Sequence, residues 1–134
     1  MQKDFDKWNS KKIKVDVINK RPFFHVREIW FCYLGKNVGF EQDGDGEDFL
    51  RPVLIIKKFN NEIFWGIPLT KSEKPLSKKI EKYYVDFSFI EGVKSRAILS
   101  QVRLIDAKRL AYILGEIDED SFKNVKQKLK DLLP

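Results

Sequence analysis

The chain has 134 residues, of which 43% are hydrophobic and 34% charged, with a formal net charge of +6. That length and composition describe one globular domain burying roughly two thirds of its unfolded surface, and exclude a disordered or disulfide-dependent chain. A single Cys (Cys32) and a single His (His25) exclude an internal disulfide and a multi-ligand zinc site, and the basic balance favours an anionic partner.

The first residues are polar and charged, and no long apolar run follows. The expectation is therefore a cytoplasmic protein that does not enter a membrane. Residues 1–20 read as a helix, with Phe5, Trp8, Val15 and Ile18 on one side, although Ile13 and Val17 fall off that side. Pro22 ends it. Residues 1–24 thus form an N-terminal helical extension, and residues 25–134 the main domain.

From Glu28 the pattern becomes strand-like. Ile29 to Leu34 is apolar on both faces, which predicts a strand covered twice, by core on one side and by a second subunit on the other. A loop runs from Gly35 to Leu50, acidic between Glu41 and Asp48. It is not a calcium loop: counted from Asp43, Asp48 and Leu54 stand where that loop requires Gly and Glu.

Residues 52–58 and 62–69 read as two strands joined at Asn60-Asn61, a pair suited to a tight hairpin turn. Residues 71–82, rich in Lys, Ser and Pro, read as an exposed loop. Tyr83, Val85, Phe87 and Phe89 alternate on one face of a further strand, and Glu91-Gly92 turns the chain. Residues 94–105 read as two short strands. Ala107 to Leu114 reads as a short helix ended by Gly115. Asp118 caps a last helix carrying Phe122, Val125, Leu129 and Leu132 as a narrow apolar stripe. Short antiparallel strands with flanking helices predict a mainly β, α+β fold: a partly open barrel with a C-terminal helix.

A Ser-His-Asp or Cys-His centre would have to run through His25, and nothing nearby resembles its nucleophile. One constellation remains. If Asn60-Asn61 is the turn, Arg51 faces Thr70 across the hairpin mouth, with Cβ atoms about 5 Å apart. A bulge or a longer turn would shift that register. A guanidinium offers a fork of donors matched to phosphate oxygens, and a hydroxyl adds a directional donor. RNA brings its own nucleophile, the 2′-OH, so such a pair need only align it and stabilise the developing charge. A structural role, an ion pair at a strand start beside a common strand Thr, competes with this reading.

Beyond these elements the residues are recognisable in order. Glu28-Ile29-Trp30 is followed by Gly39-Phe40-Glu41-Gln42, Arg51-Pro52-Val53-Leu54-Ile55-Ile56, Pro68-Leu69-Thr70, Ile98-Leu99-Ser100-Gln101-Val102-Arg103-Leu104-Ile105-Asp106 and Gly115-Glu116-Ile117. This set resembles the MazF/PemK toxins over about residues 25 to 134. The resemblance implies an SH3-like, CcdB-type barrel that pairs into a homodimer. It implies metal-independent cleavage of single-stranded RNA at a short sequence, leaving a 2′,3′-cyclic phosphate and a 5′-hydroxyl. It also implies a cognate antitoxin whose acidic segment covers the RNA site. It calls for no metal or cofactor.

The family's catalytic Arg falls on Arg51, its strand-end Thr on Thr70 and its loop Glu on Glu41. A guanidinium keeps its proton at neutral pH, which suits Arg51 to stabilising the phosphorane. Thr70 would hold a non-bridging oxygen or orient the 2′-OH. Glu41 would accept the 2′-OH proton or order Arg51. RNA contacts are expected from Phe40, Gln42, Lys57, Lys71, Gln101 and Arg103. Gln101 and Arg103 also suit buried structural roles.

Two features depart from the family: Phe40 stands where many members carry Ser, and the stretch from Gln42 to Arg51 is longer than in the shortest members. Two other classes share this fold, a non-catalytic inhibitor of the gyrase-poison type and a plain interaction module.

Overall fold

The computed structural model describes residues 4–16, 20–35 and 50–134. Helix α1 (Phe5–Asp16) precedes strands β1 (Glu28–Tyr33), β2 (Leu50–Lys58), β3 (Ile63–Lys71), β4 (Tyr84–Ile90), β5 (Val93–Ile98), β6 (Arg103–Asp106) and β7 (Leu110–Glu116), and helix α2 (Glu119–Asp131) closes the chain. The sheet runs in the order β4-β5-β3-β2-β1-β7, antiparallel throughout, and β6 also pairs with β3. β3 changes partner along its length. Ile63 to Gly66 pair with β6, and Leu69 to Lys71 pair with β5. That exchange curls the sheet into the partly open barrel expected. Gly66 marks the tight spot, since a Cβ there would lie 2.5 Å from Val53 Cγ1 and 2.8 Å from Ile105 Cδ1.

Two apolar clusters lie on the two faces of the sheet. Ile29, Leu54, Ile56, Leu69 and Phe87 pack with Phe122 and Val125 of α2. Phe24, Trp30, Cys32, Val53, Ile55, Phe64 and Leu110 pack on the other side. The uninterrupted run Val53–Ile56 follows directly, because alternate residues enter opposite clusters. α2 forms as expected: Asp118 Oδ2 accepts the Ser121 N–H at 2.9 Å, and Leu129 and Leu132 pack against the first cluster.

Two expectations need correction. The segment after Ala107 is a short 3-10 turn followed by β7, paired with β1, and is not a helix. Ala107, Leu110 and Leu114 have helical spacing, but the free edge of β1 offers a ladder that outweighs weak local preference. Gly115, read as a helix stop, is instead where the Phe89 ring packs: a Cβ at this position would lie 3.0 Å from Phe89 Cδ2. Within the chain Ile29 of β1 enters the first cluster and Trp30 and Cys32 the second, while Phe31 and Tyr33 stay half-exposed, Phe31 facing an open groove.

The hairpin turn differs as well. Phe59 N–H donates to the Ile63 carbonyl at 3.2 Å, and Asn60 Oδ1 accepts from the Glu62 and Ile63 amides at 2.7 and 3.0 Å. The turn is thus one residue longer than expected. A bulge between Ile55 and Lys57 absorbs the extra residue, so Val53 still faces Pro68.

α1 lies over the far end of β1. Trp8 and Val15 are buried, while Phe5 and Ile13 are exposed. The Trp8 indole covers Gly35, whose φ of +72° is left-handed and whose Cβ position the ring occupies. The Arg109 guanidinium stacks on the same indole at 5.7 Å. Gly35→Ala is therefore expected to release α1, both by strain and by overlap. Amide hydrogen exchange checks it: residues 5–16 should exchange like a free peptide while β2 and β3 stay protected. Unchanged protection of α1 would refute the clamp.

Candidate active site

Arg51 stands at the start of β2, paired with Cys32 of β1, and Thr70 stands at the end of β3, paired with Arg96 of β5. The β2–β3 ladder is last paired at Val53 and Pro68, so Arg51 and Thr70 are not ladder partners. The side chain closes the gap. Arg51 Nη1 donates to the carbonyl of Leu69, the residue before Thr70, at 3.2 Å. Both residues are half-buried and line one groove of about 730 Å³. Lys71, Glu73 and Ser95 add polar groups to it, and Phe31, Phe89 and Leu114 give an apolar floor. A fork of donors and a hydroxyl above an apolar floor can hold a phosphate and its neighbouring bases.

The other candidates fall in different places. Glu41, Phe40 and Gln42, with the acidic loop around them, lie outside the described residues. Lys71 shares the groove of Arg51 and Thr70. Lys57 and Arg103 do not: with Trp65, Lys58, Lys126 and Lys130 they line a second groove of about 710 Å³. Lys57 is six residues along β2 from Arg51, about 20 Å at strand spacing. Gln101 lies in the 3-10 turn between β5 and β6, half-buried. Cys32 is fully buried, and burial pushes its thiol far above the usual range, which suits a core residue and not a nucleophile. His25 pairs instead with Glu28, at 3.3 Å from Nδ1 to Oε2.

A polar cluster around one buried guanidinium, beside the groove, was not anticipated. Arg96, 8% exposed, donates from Nε to Asp86 Oδ1 at 2.8 Å. From Nη2 it reaches Asp86 Oδ2 at 3.1 Å, Ser72 Oγ at 3.0 Å and the Lys74 carbonyl at 2.7 Å. The Ser72 hydroxyl also donates to Asp86 Oδ2 at 2.7 Å. The only sequence signal was opposite charge at Asp86 and Arg96, and it becomes a pair only through the β4–β5 register. Glu73 and Ser95 carried no signal at all.

Hydrogen bonding from Arg96, against a smaller opposing effect of burial, holds the Asp86 carboxyl below its ordinary value. Arg21, donating at 3.0 and 3.1 Å, does the same for Asp106. A depressed folded value means that each contributes stability above its unfolded value of about 4 and loses it as pH falls through the folded value. Urea midpoints are therefore expected to fall below about pH 4, and less steeply in Asp86→Asn and Asp106→Asn. Equal slopes in wild type and both variants would contradict this.

The family model for PemK-like, MazF-like toxins of type II toxin–antitoxin systems matches residues 25–133. The crystal structure of MazF from Deinococcus radiodurans superposes with a TM-score of 0.60 at 20% identity, covering 85% of this chain and 97% of that one. An endoribonuclease from Mycobacterial species, solved in complex with its cognate antitoxin, gives 0.57 at 13% identity, covering 84% of this chain and 97% of that one. Comparison with curated proteins found no match. At these identities the solved structures establish a shared fold, and the family match extends over most of the sequence. The chain belongs to the PemK-like, MazF-like family of type II toxin–antitoxin toxins.

Proposed function

We propose that this toxin is an endoribonuclease that cuts single-stranded RNA at a short sequence, with Arg51 and Thr70 at the reacting phosphate. The observation that carries the reading is the Arg51 bond to the Leu69 carbonyl, which holds the guanidinium beside Thr70 in one groove. The RNA 2′-OH attacks the adjacent phosphorus and loses its proton to water, and the 5′-oxygen of the next nucleotide leaves and takes up a proton from water. Arg51 stabilises the charge on the phosphorane, and Thr70 donates to a non-bridging oxygen or orients the 2′-OH. Glu41 orders Arg51. Lys71 adds a phosphate contact, and Gln101, Phe40 and Gln42 contribute to the RNA surface. The products are a 2′,3′-cyclic phosphate and a 5′-hydroxyl, formed without a metal.

The protein acts in the cytoplasm as a homodimer, and an antitoxin whose acidic segment covers the groove holds it silent. Family membership supports these partners, as does the antitoxin bound to the Mycobacterial structure of the same fold. The test uses purified protein free of antitoxin, a long single-stranded RNA and EDTA, with the new ends mapped. Discrete cuts at one short sequence, with cyclic phosphate ends, are expected. Folded protein that leaves such RNA intact would overturn the reading in favour of a non-catalytic inhibitor.

A further inference from the structure

We propose that Glu73 is a specificity-determining residue, a carboxylate set in the wall of the Arg51–Thr70 groove to accept hydrogen bonds from the amine edge of one base. The proposal rests on the RNA-cutting reading and names part of what that site selects. Glu73 lines the same groove as Arg51, Thr70 and Lys71. Its own carboxylate has no hydrogen-bond or ion-pair partner among the described residues.

Its position is nevertheless held. One nitrogen of the buried Arg96, Nη2, donates to Ser72 Oγ and to the Lys74 carbonyl, so both neighbours of Glu73 are tied to the same group. Asp86 anchors that guanidinium from β4, and the Ser72 amide donates to the Lys94 carbonyl at 3.1 Å, extending the sheet past the end of β3. Residues 72–74 therefore stand on a bracket of charge-assisted bonds rather than in a free loop. The bracket is also what sets Glu73 beside Thr70.

Charge decides what such a carboxylate can meet. The groove's cations, Arg51 and Lys71, suit phosphates, whereas a carboxylate facing a phosphate is repelled. It gains only from donors. Adenine and cytosine each present an exocyclic amine, and guanine presents an amine beside a ring N–H. Uracil flanks its one N–H with two carbonyl oxygens, which oppose a carboxylate. Splayed single-stranded bases expose these edges. Glu73 thus selects an amine-bearing base and rejects uracil at one position, by repulsion as much as by attraction.

The experiment measures binding of the full chain to 2′-O-methyl oligonucleotides of A, C and U by fluorescence anisotropy. Blocking the 2′-OH removes the nucleophile, so recognition is read apart from cutting, and cleavage of natural RNA by the same preparation tests the parent function separately. Wild type is expected to bind the A or C oligonucleotide about ten-fold tighter than U, the discrimination of one good base contact. Glu73→Gln, which offers both an acceptor and donors, should bring the three within about two-fold of each other. Two results overturn the proposal. One is undiminished discrimination in Glu73→Gln. The other is an equal gain for all three oligonucleotides, which would mean that the carboxylate only repels phosphates.

Discussion

Arg51→Ala is expected to slow RNA cleavage by about a hundred- to a thousand-fold, the usual consequence of removing one donor aimed at developing charge. The loss should fall on kcat, because the guanidinium matters most when the phosphorane carries extra charge. The fold should survive. Arg51 is half-buried at the first paired turn of β2, and its bond to the Leu69 carbonyl borders an open groove where water replaces it. Losing such a bond costs about 1 kcal/mol. Arg51→Lys keeps a charge and loses the fork, so it should retain part of the rate. Single-turnover cleavage of a short RNA, with thermal melts of each variant, separates the outcomes. A folded Arg51→Ala protein cutting at the parental rate would move the active centre elsewhere.

Phe64→Ala is expected to have the opposite signature, a large loss of stability with chemistry intact. Phe64 is fully buried, its ring 5.1 Å from that of Phe24, in the cluster on the sheet face away from α2. Emptying such a site costs about 3–5 kcal/mol, through lost transfer energy and an incompletely filled cavity. A domain of this size holds only about 5–15 kcal/mol in total, so the melting temperature should fall by roughly 10–20 °C. Phe64 pairs with Ile105 on the β6 half of β3, whereas Thr70 pairs with Arg96 on the β5 half. At a temperature where the variant stays folded, kcat should therefore stay near wild type. A melting shift of only a few degrees would mean that this cluster repacks freely. A matching fall in kcat would mean that the two halves of β3 are coupled.

The local patterns that proved readable share a property: the physics behind them lies within a few residues. Alternation in Val85 and Phe87 follows from the pleat of one strand, and both side chains are buried. The Asp118 cap and the stripe of Phe122 and Val125 follow from the geometry of one helix, and both formed. Arg51 and Thr70 came together for a weaker reason. A longer turn and a bulge offset one another, so the expected level was reached although the ladder ended two residues short.

The rest depended on contacts between distant parts of the chain. Residues 110–116 carry a pattern compatible with helix or strand, and the vacant edge of β1 decided for strand. Trp30 and Cys32 of β1 found their cover in Phe24 and Leu110, which no local pattern links to them. Arg96 looked like an ordinary strand charge until the register set it against Asp86 and the Ser72–Lys74 segment. Composition, periodicity and ordered motifs were enough for the class of fold and the family, and for the nearness of Arg51 and Thr70, because those reside in local spacing and residue chemistry. The bracket behind Glu73 and the separation of Lys57 and Arg103 from the Arg51 groove emerged only from long-range strand pairing. A strand carries its side-chain alternation in its own residues, but its neighbours are set by competition among all the edges the chain can offer.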